Sequence, residues 1–196
     1  MNRREAIQRT ALVLGYAISA PALAAVLNGC KAAPELTYKP VFFTEDQARL
    51  VSELAEIILP KTDTPGAKDV GVPGFIDLVL KDTYAQKDKD RFLSGLAEFE
   101  ELAKKNFGDS FIDLDADKQK EHVKAVHDQA VEAGRKGEFK KEERPFILMT
   151  KELTLLGFFT SEPGATQVLQ YEPVPGAYHG CIPIAEAGNG KQWATS

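Results

Sequence analysis

Cysteine is nearly absent. The 196 residues hold two, Cys30 and Cys181, too few to ligate an iron–sulfur cluster unaided. No C-x-x-C-H occurs, which excludes c-type haem attachment. The glycine patterns of phosphate and dinucleotide sites are missing: no G-x-G-x-x-G, no glycine-rich phosphate loop after a strand, and no G-x-S-x-G nucleophile elbow. Histidine is equally scarce, with three in all. His122 and His127 lie five apart, about 500° around a helix, and so diverge by roughly 140°. That spacing defeats shared metal ligation and marks both as exposed helix side chains. Asp113, Asp115 and Asp117 alternate, but the glycine and distal glutamate of a calcium loop are not there. Alternating runs of β-branched residues are almost wholly lacking, so few strands are expected.

What the chain does have is a distinctive start. Arg3 and Arg4 stand together, and an uncharged stretch from Thr10 to Gly29 follows, ending Leu27-Asn28-Gly29-Cys30. A basic head, an apolar middle and a small residue before a cleavage point make a secretory signal over residues 1–29. Paired arginines mark the twin-arginine route, which moves folded cargo. Cys30 after Leu-x-Gly resembles a lipobox, whose thiol becomes lipidated and forms the mature N-terminus. A retained membrane helix is the competing reading of 10–29, since about 20 apolar residues span a bilayer. Gly15, Ser19, Pro21 and the alanine-rich composition favour the cleaved, lipidated signal. The expected location is the periplasmic side of the envelope, held to a membrane by lipid.

Cleavage would leave 167 of the 196 residues, enough for one domain with its own core. The signal carries Arg3, Arg4 and Arg9 against Glu5, so the net charge of −5 becomes −7 without it. An acidic surface gives no reason to expect nucleic acid or anionic lipid as a partner.

Residues 30–42, with Pro34 and Pro40, are expected to form an extended tether. The helical domain then runs over 43–161. Thr44 is the N-cap of a first helix, Gln47 completes a capping box, and Phe43 is placed to staple the entry. Leu50, Val51, Leu54, Ile57 and Ile58 recur at helical spacing until Pro60 ends the run. Pro65-Gly66 signals a turn in an irregular stretch that Gly71 and Pro73 prolong. A short helix is expected from Phe75 to Tyr84, and a third over 88–107 with Phe92, Leu96, Phe99 and Leu102 inward and Gly108 at its end. Asp115 caps a fourth, mostly polar helix to about Ala133. Pro145 opens a fifth, the most apolar, in which Leu155 and Phe158 are expected core residues. Over 162–196, four prolines and five glycines leave a long irregular tail. The fold class is all-α: one domain of about five helices with a Pro/Gly-rich C-terminal tail.

His179-Gly180-Cys181 is the most provocative cluster. A histidine two residues from a cysteine could bind metal or form a nucleophile pair. No second acid or amide is fixed nearby, and a tail is a poor place to preorganise catalysis. A structural or covalent-link use of Cys181 ranks above a catalytic one.

Several segments together resemble the gluconate 2-dehydrogenase subunit 3 family. They are Ile57-Ile58-Leu59-Pro60-Lys61-Thr62-Asp63-Thr64-Pro65-Gly66-Ala67, Val72-Pro73-Gly74-Phe75-Ile76-Asp77, the run Lys151 to Glu162, Tyr171 to Gly176, and Tyr178-His179-Gly180-Cys181-Ile182-Pro183. The resemblance implies a non-catalytic subunit with no cofactor of its own. Its partner would be a large FAD-dependent flavoprotein of the glucose–methanol–choline (GMC) type that oxidises sugars, polyols or aldonates, and in many such complexes a cytochrome c subunit receives the electrons. The large subunit often lacks an export signal, so the small subunit carries it out folded and loaded with FAD. Residues expected to meet the partner are Pro65, Val72, Pro73, Phe75, Tyr178, Ile182 and Trp193, with Cys181 a candidate inter-subunit disulfide. Two other readings stand beside this one. A free-standing envelope lipoprotein that binds a ligand or another envelope protein would have a concave pocket in the helical domain. An enzyme using the His179–Cys181 loop would need a base and an orienting group near Cys181.

Overall fold

The computed structural model describes residues 36–174, 176, 177, 180–186 and 190–194. Arg3, Arg4, Cys30, Tyr178 and His179 lie outside the described residues. Among those described there are five α-helices and no strand: α1 Glu45–Ile58, α2 Val72–Thr83, α3 Gln86–Phe107, α4 Ala116–Arg135 and α5 Phe146–Phe159.

Local chemistry sets the ends of these helices. The Thr44 hydroxyl accepts from the Gln47 N–H at 3.3 Å while Gln47 Oε1 accepts from the Thr44 N–H at 3.0 Å, the reciprocal box read from the sequence. Asp115 caps α4 by accepting from the Lys118 N–H. Gly108, at φ 86°, closes α3. α2 begins three residues earlier than expected, because Gly71 takes φ 78° as its N-cap and Val72-Pro73 then form the first turn.

α5 is the centre of the bundle and packs against each of the other four helices. It buries Phe146, Ile147, Met149, Thr150, Leu153, Thr154, Gly157 and Phe158, while Glu152 and Leu156 stay exposed. Its two buried threonines keep their hydroxyls on their own helix: Thr150 donates to the Phe146 carbonyl at 2.9 Å and Thr154 to that of Thr150 at 2.7 Å. Phe75 of α2 lies against Gly157, where an added Cβ would stand 2.6 Å from the ring. Phe43, Phe92, Phe146, Phe99 and Phe111 form a continuous run of rings with neighbouring centroids 4.9–5.8 Å apart.

Several expectations are corrected by this packing. Val72 and Pro73 are buried in the chain's own core and present no surface to a partner. Leu102 is exposed and Ala103 takes the inward position. Phe158 is core, but Leu155 is only half-buried. His122, expected on the surface, is 1% exposed: the Phe99 ring centroid lies 4.4 Å from its own, and its Nε2 donates to the Phe99 carbonyl at 2.9 Å. A helical wheel places His122 beside Val123 on the narrow inward stripe, and the aromatic pocket of α3 accepts a ring there. Residues 36–42 are not a free tether either, since Leu36, Tyr38 and Phe42 pack against the core.

The segment after α5 is irregular but not loose. A π-type turn spans Gly164–Val168, and the chain end returns to it. Gln170 pairs with Trp193 in an isolated parallel bridge: the Gln170 N–H donates to the Gln192 carbonyl and the Ala194 N–H to that of Gln170, both at 2.7 Å. No helix of the described residues is long and apolar enough to cross a membrane.

Candidate partner surface

Two carboxylates organise the loop between α1 and α2. Glu56, near the end of α1, accepts from the Lys61 N–H through Oε1 and from the Lys68 N–H through Oε2, both at 2.9 Å. Asp69 Oδ2 accepts from the Gly66 N–H at 3.1 Å and pairs with the Lys61 ammonium at 3.1 Å. The Gly66 N–H first, and Lys61 second, hold the Asp69 carboxyl below its ordinary value of 3.8. The Ala67 N–H donates to the Leu59 carbonyl, and Ala67 itself is fully buried. Gly66 rests on the Glu56 carboxylate, where a Cβ would fall 2.3 Å from Oε1. The backbone from Pro60 to Ala67 is therefore pinned at both ends, with Lys61, Thr62 and Asp63 exposed at its tip and Pro65 half-buried.

A third carboxylate fixes the entry to the domain. Asp77 is 1% exposed and accepts from three consecutive N–H groups: Val41 through Oδ2 at 2.7 Å, Phe42 and Phe43 through Oδ1 at 3.1 and 2.8 Å. Three backbone donors satisfy a buried charge that would otherwise be costly. Burial, followed by the Asp77 charge, raises the Tyr38 hydroxyl pKa, and that hydroxyl has no hydrogen-bond partner among the described residues.

Glu56, Asp69 and Asp77 were not singled out in the sequence. Only Asp77 carried a usable signal there, as the lone carboxylate in Phe75-Ile76-Asp77-Leu78-Val79-Leu80. The bonding of Glu56 to residues five and twelve positions on depends on the loop path.

Of the large apolar side chains exposed among the described residues, Val41, Leu78, Leu102 and Leu156 belong to the domain and five to the tail. Tyr171, Val174, Ile182, Ile184 and Trp193 are between 45% and 80% exposed. Trp193 is held by backbone bonds on both sides, at Gln192 and Ala194, while its indole stays half in solvent. Phe75 is half-buried on Gly157, and Cys181 is an exposed free thiol. Among the described residues no group of three or more His, Cys, Asp or Glu side chains could hold a metal ion. The structure thus leaves Pro65, Phe75, Ile182 and Trp193 accessible in whole or part and removes Val72 and Pro73 to the core.

The gluconate 2-dehydrogenase subunit 3 family model matches residues 45–176, from the start of α1 into the tail. The chain belongs to the gluconate 2-dehydrogenase subunit 3 family. No curated protein and no solved structure matches it. The matched span takes in the Glu56–Asp69 loop, the Asp77 cradle and the central α5, so the family pattern covers the packed domain as well as the first exposed tail residues. Family membership is consistent with an accessory subunit of a dehydrogenase complex.

Proposed function

We propose that this chain is the non-catalytic small subunit of an FAD-dependent GMC-type dehydrogenase, and that it escorts the flavoprotein through twin-arginine export and anchors it by lipid at Cys30. The carrying observation, beside the family, is the tail. Five large apolar side chains between Tyr171 and Trp193 stand in solvent on backbone partly tied down at Gln170, Gln192 and Ala194. Exposed apolar groups on a restrained backbone suit binding, because less ordering entropy is lost on contact. The flavin and the oxidation of a sugar, polyol or aldonate belong to the large subunit, and this chain brings no cofactor. A cytochrome c subunit is the electron acceptor in this reading. The exposed thiol of Cys181 is available for an inter-subunit disulfide, formed once both chains reach an oxidising compartment.

The test is co-purification. The tagged native chain should bring down a yellow large subunit with a flavin spectrum. Changing Arg3 and Arg4 to lysines should leave both proteins in the cytoplasm. Export that survives this change but stops when general secretion is blocked would refute the escort role. On non-reducing gels the complex should run near the summed mass, and dithiothreitol should split it. A Cys181 that is freely alkylated in the assembled complex would remove the covalent link.

A further inference from the structure

Between the last turn of α1, the middle of α4 and the start of α5 lies an open trough of about 390 Å³. We propose that it binds a single-chain anionic amphiphile, a carboxylate head on an alkyl tail of fatty-acid type. None of its lining residues is among those of the partner surface described above.

The floor is aliphatic and comes from three helices: Ile57 and Ile58, Val123, and Ile147. The rim is cationic: Lys120, Lys124 and Lys151 with the imidazole of His127. No carboxylate lines the trough, although the chain has 29 acidic residues against 24 basic ones. Lys120, Val123, Lys124 and His127 follow i, i+3, i+4, i+7 spacing and share one face of α4, which aligns like charges over an apolar strip. Clustering of that kind is mildly unfavourable, and Asp128 relieves it at Lys124.

The nearby pairing leaves cations to spare. Asp128 accepts from the Lys124 ammonium at 2.8 Å and from His127 Nδ1 at 3.3 Å. With the proton on Nδ1, His127 Nε2 accepts from the Lys151 ammonium at 3.0 Å. That contact orients Lys151 but uses one of its three protons and neutralises none of its charge. Neither Lys151 nor Lys120 has a carboxylate partner among the described residues. Each ammonium is therefore free to pair with an incoming carboxylate while the aliphatic floor takes the chain. The volume lies near the lower end of the range for small-ligand sites, which suits one alkyl chain better than the two of a phospholipid.

Isothermal titration of the delipidated chain with dodecanoate, kept below its micellar concentration, tests this directly. One saturable site is expected. Decanoate should bind about tenfold more weakly for its two missing methylenes, and acetate not at all. Lys120→Gln and Lys151→Gln should each weaken dodecanoate about tenfold, the scale of one lost charge-assisted contact, while Lys104→Gln, on α3, changes nothing. The double change Lys120→Glu with Lys151→Glu should abolish dodecanoate binding and create binding of dodecyltrimethylammonium, with an unchanged melting curve. Absence of saturable dodecanoate binding, or binding indifferent to the lysine changes, overturns the proposal. So does sedimentation with anionic phospholipid vesicles that dodecanoate fails to displace, which would make the trough a membrane contact. Loss of the co-purified flavoprotein in the Lys120→Glu, Lys151→Glu chain without any dodecanoate binding to the native one would make it a protein contact instead.

Discussion

At the scale of single residues, buried polar groups say most about this protein. Asp77 binds three successive N–H groups that lead into α1, so its removal strands three donors at once. Asp77→Ala should cost about 2–5 kcal/mol of unfolding free energy, measured by urea denaturation, because each unpaired buried donor is expensive. His122 behaves differently. Burial is the main influence on its imidazole and lowers its pKa from the ordinary 6.5, outweighing the opposing pull of the Phe99 carbonyl. The folded chain therefore binds fewer protons than the unfolded one just below pH 6.5, and stability must fall as pH drops through that value toward the depressed folded pKa. More than about one pH unit above 6.5 the group contributes almost no slope. A His122→Phe chain should show a flatter stability profile between pH 6.5 and 5.5 than the native one in thermal melts, and an equally steep profile would remove His122 as the cause.

Among the elements, the loop between α1 and α2 depends on Glu56 more than on its own prolines. Glu56 receives the N–H groups of Lys61 and Lys68, and Gly66 leaves room for its carboxylate. Glu56→Ala should free this loop without melting the bundle. Hydrogen exchange at the Lys61 and Lys68 amides is expected to accelerate at least tenfold, while the amides of α5 keep their protection. Global loss of protection would instead make the loop part of the folding core. The helices themselves were largely legible, because capping and turn chemistry are local: Thr44 with Gln47, Asp115, Gly108. Two details differ: α2 starts at Val72 because the adjacent Gly71 adopts a left-handed cap, and on α3 it is Ala103 that is buried while Leu102 faces outward.

For the whole molecule, the division is between a packed bundle and an exposed tail. Core and surface roles separate cleanly there, so variants can be chosen that touch one and spare the other. Ile182→Asp and Trp193→Ala alter half-exposed side chains. Both should leave the melting temperature of the isolated chain within about a degree or two, as surface changes usually do. Both should reduce co-purification of the flavoprotein, with Trp193→Ala the stronger since aromatic anchors dominate interfaces. Retained co-purification in the double variant would shift the partner contact away from the tail.

The sequence by itself determined the helical class, the order of the helices, the central place of α5 and the family, because periodicity, caps and ordered motifs are written in neighbouring residues. The Pro/Gly tail was visible for the same reason. Only the tertiary structure decided that Val72 and Pro73 face inward, that His122 is enclosed by rings from α3, and that residues 36–42 are docked through Asp77. It alone assembled Ile57, Val123, Ile147 and three lysines from separate helices into one trough. Each of these depends on which faces meet, and that is settled by side chains far apart along the chain.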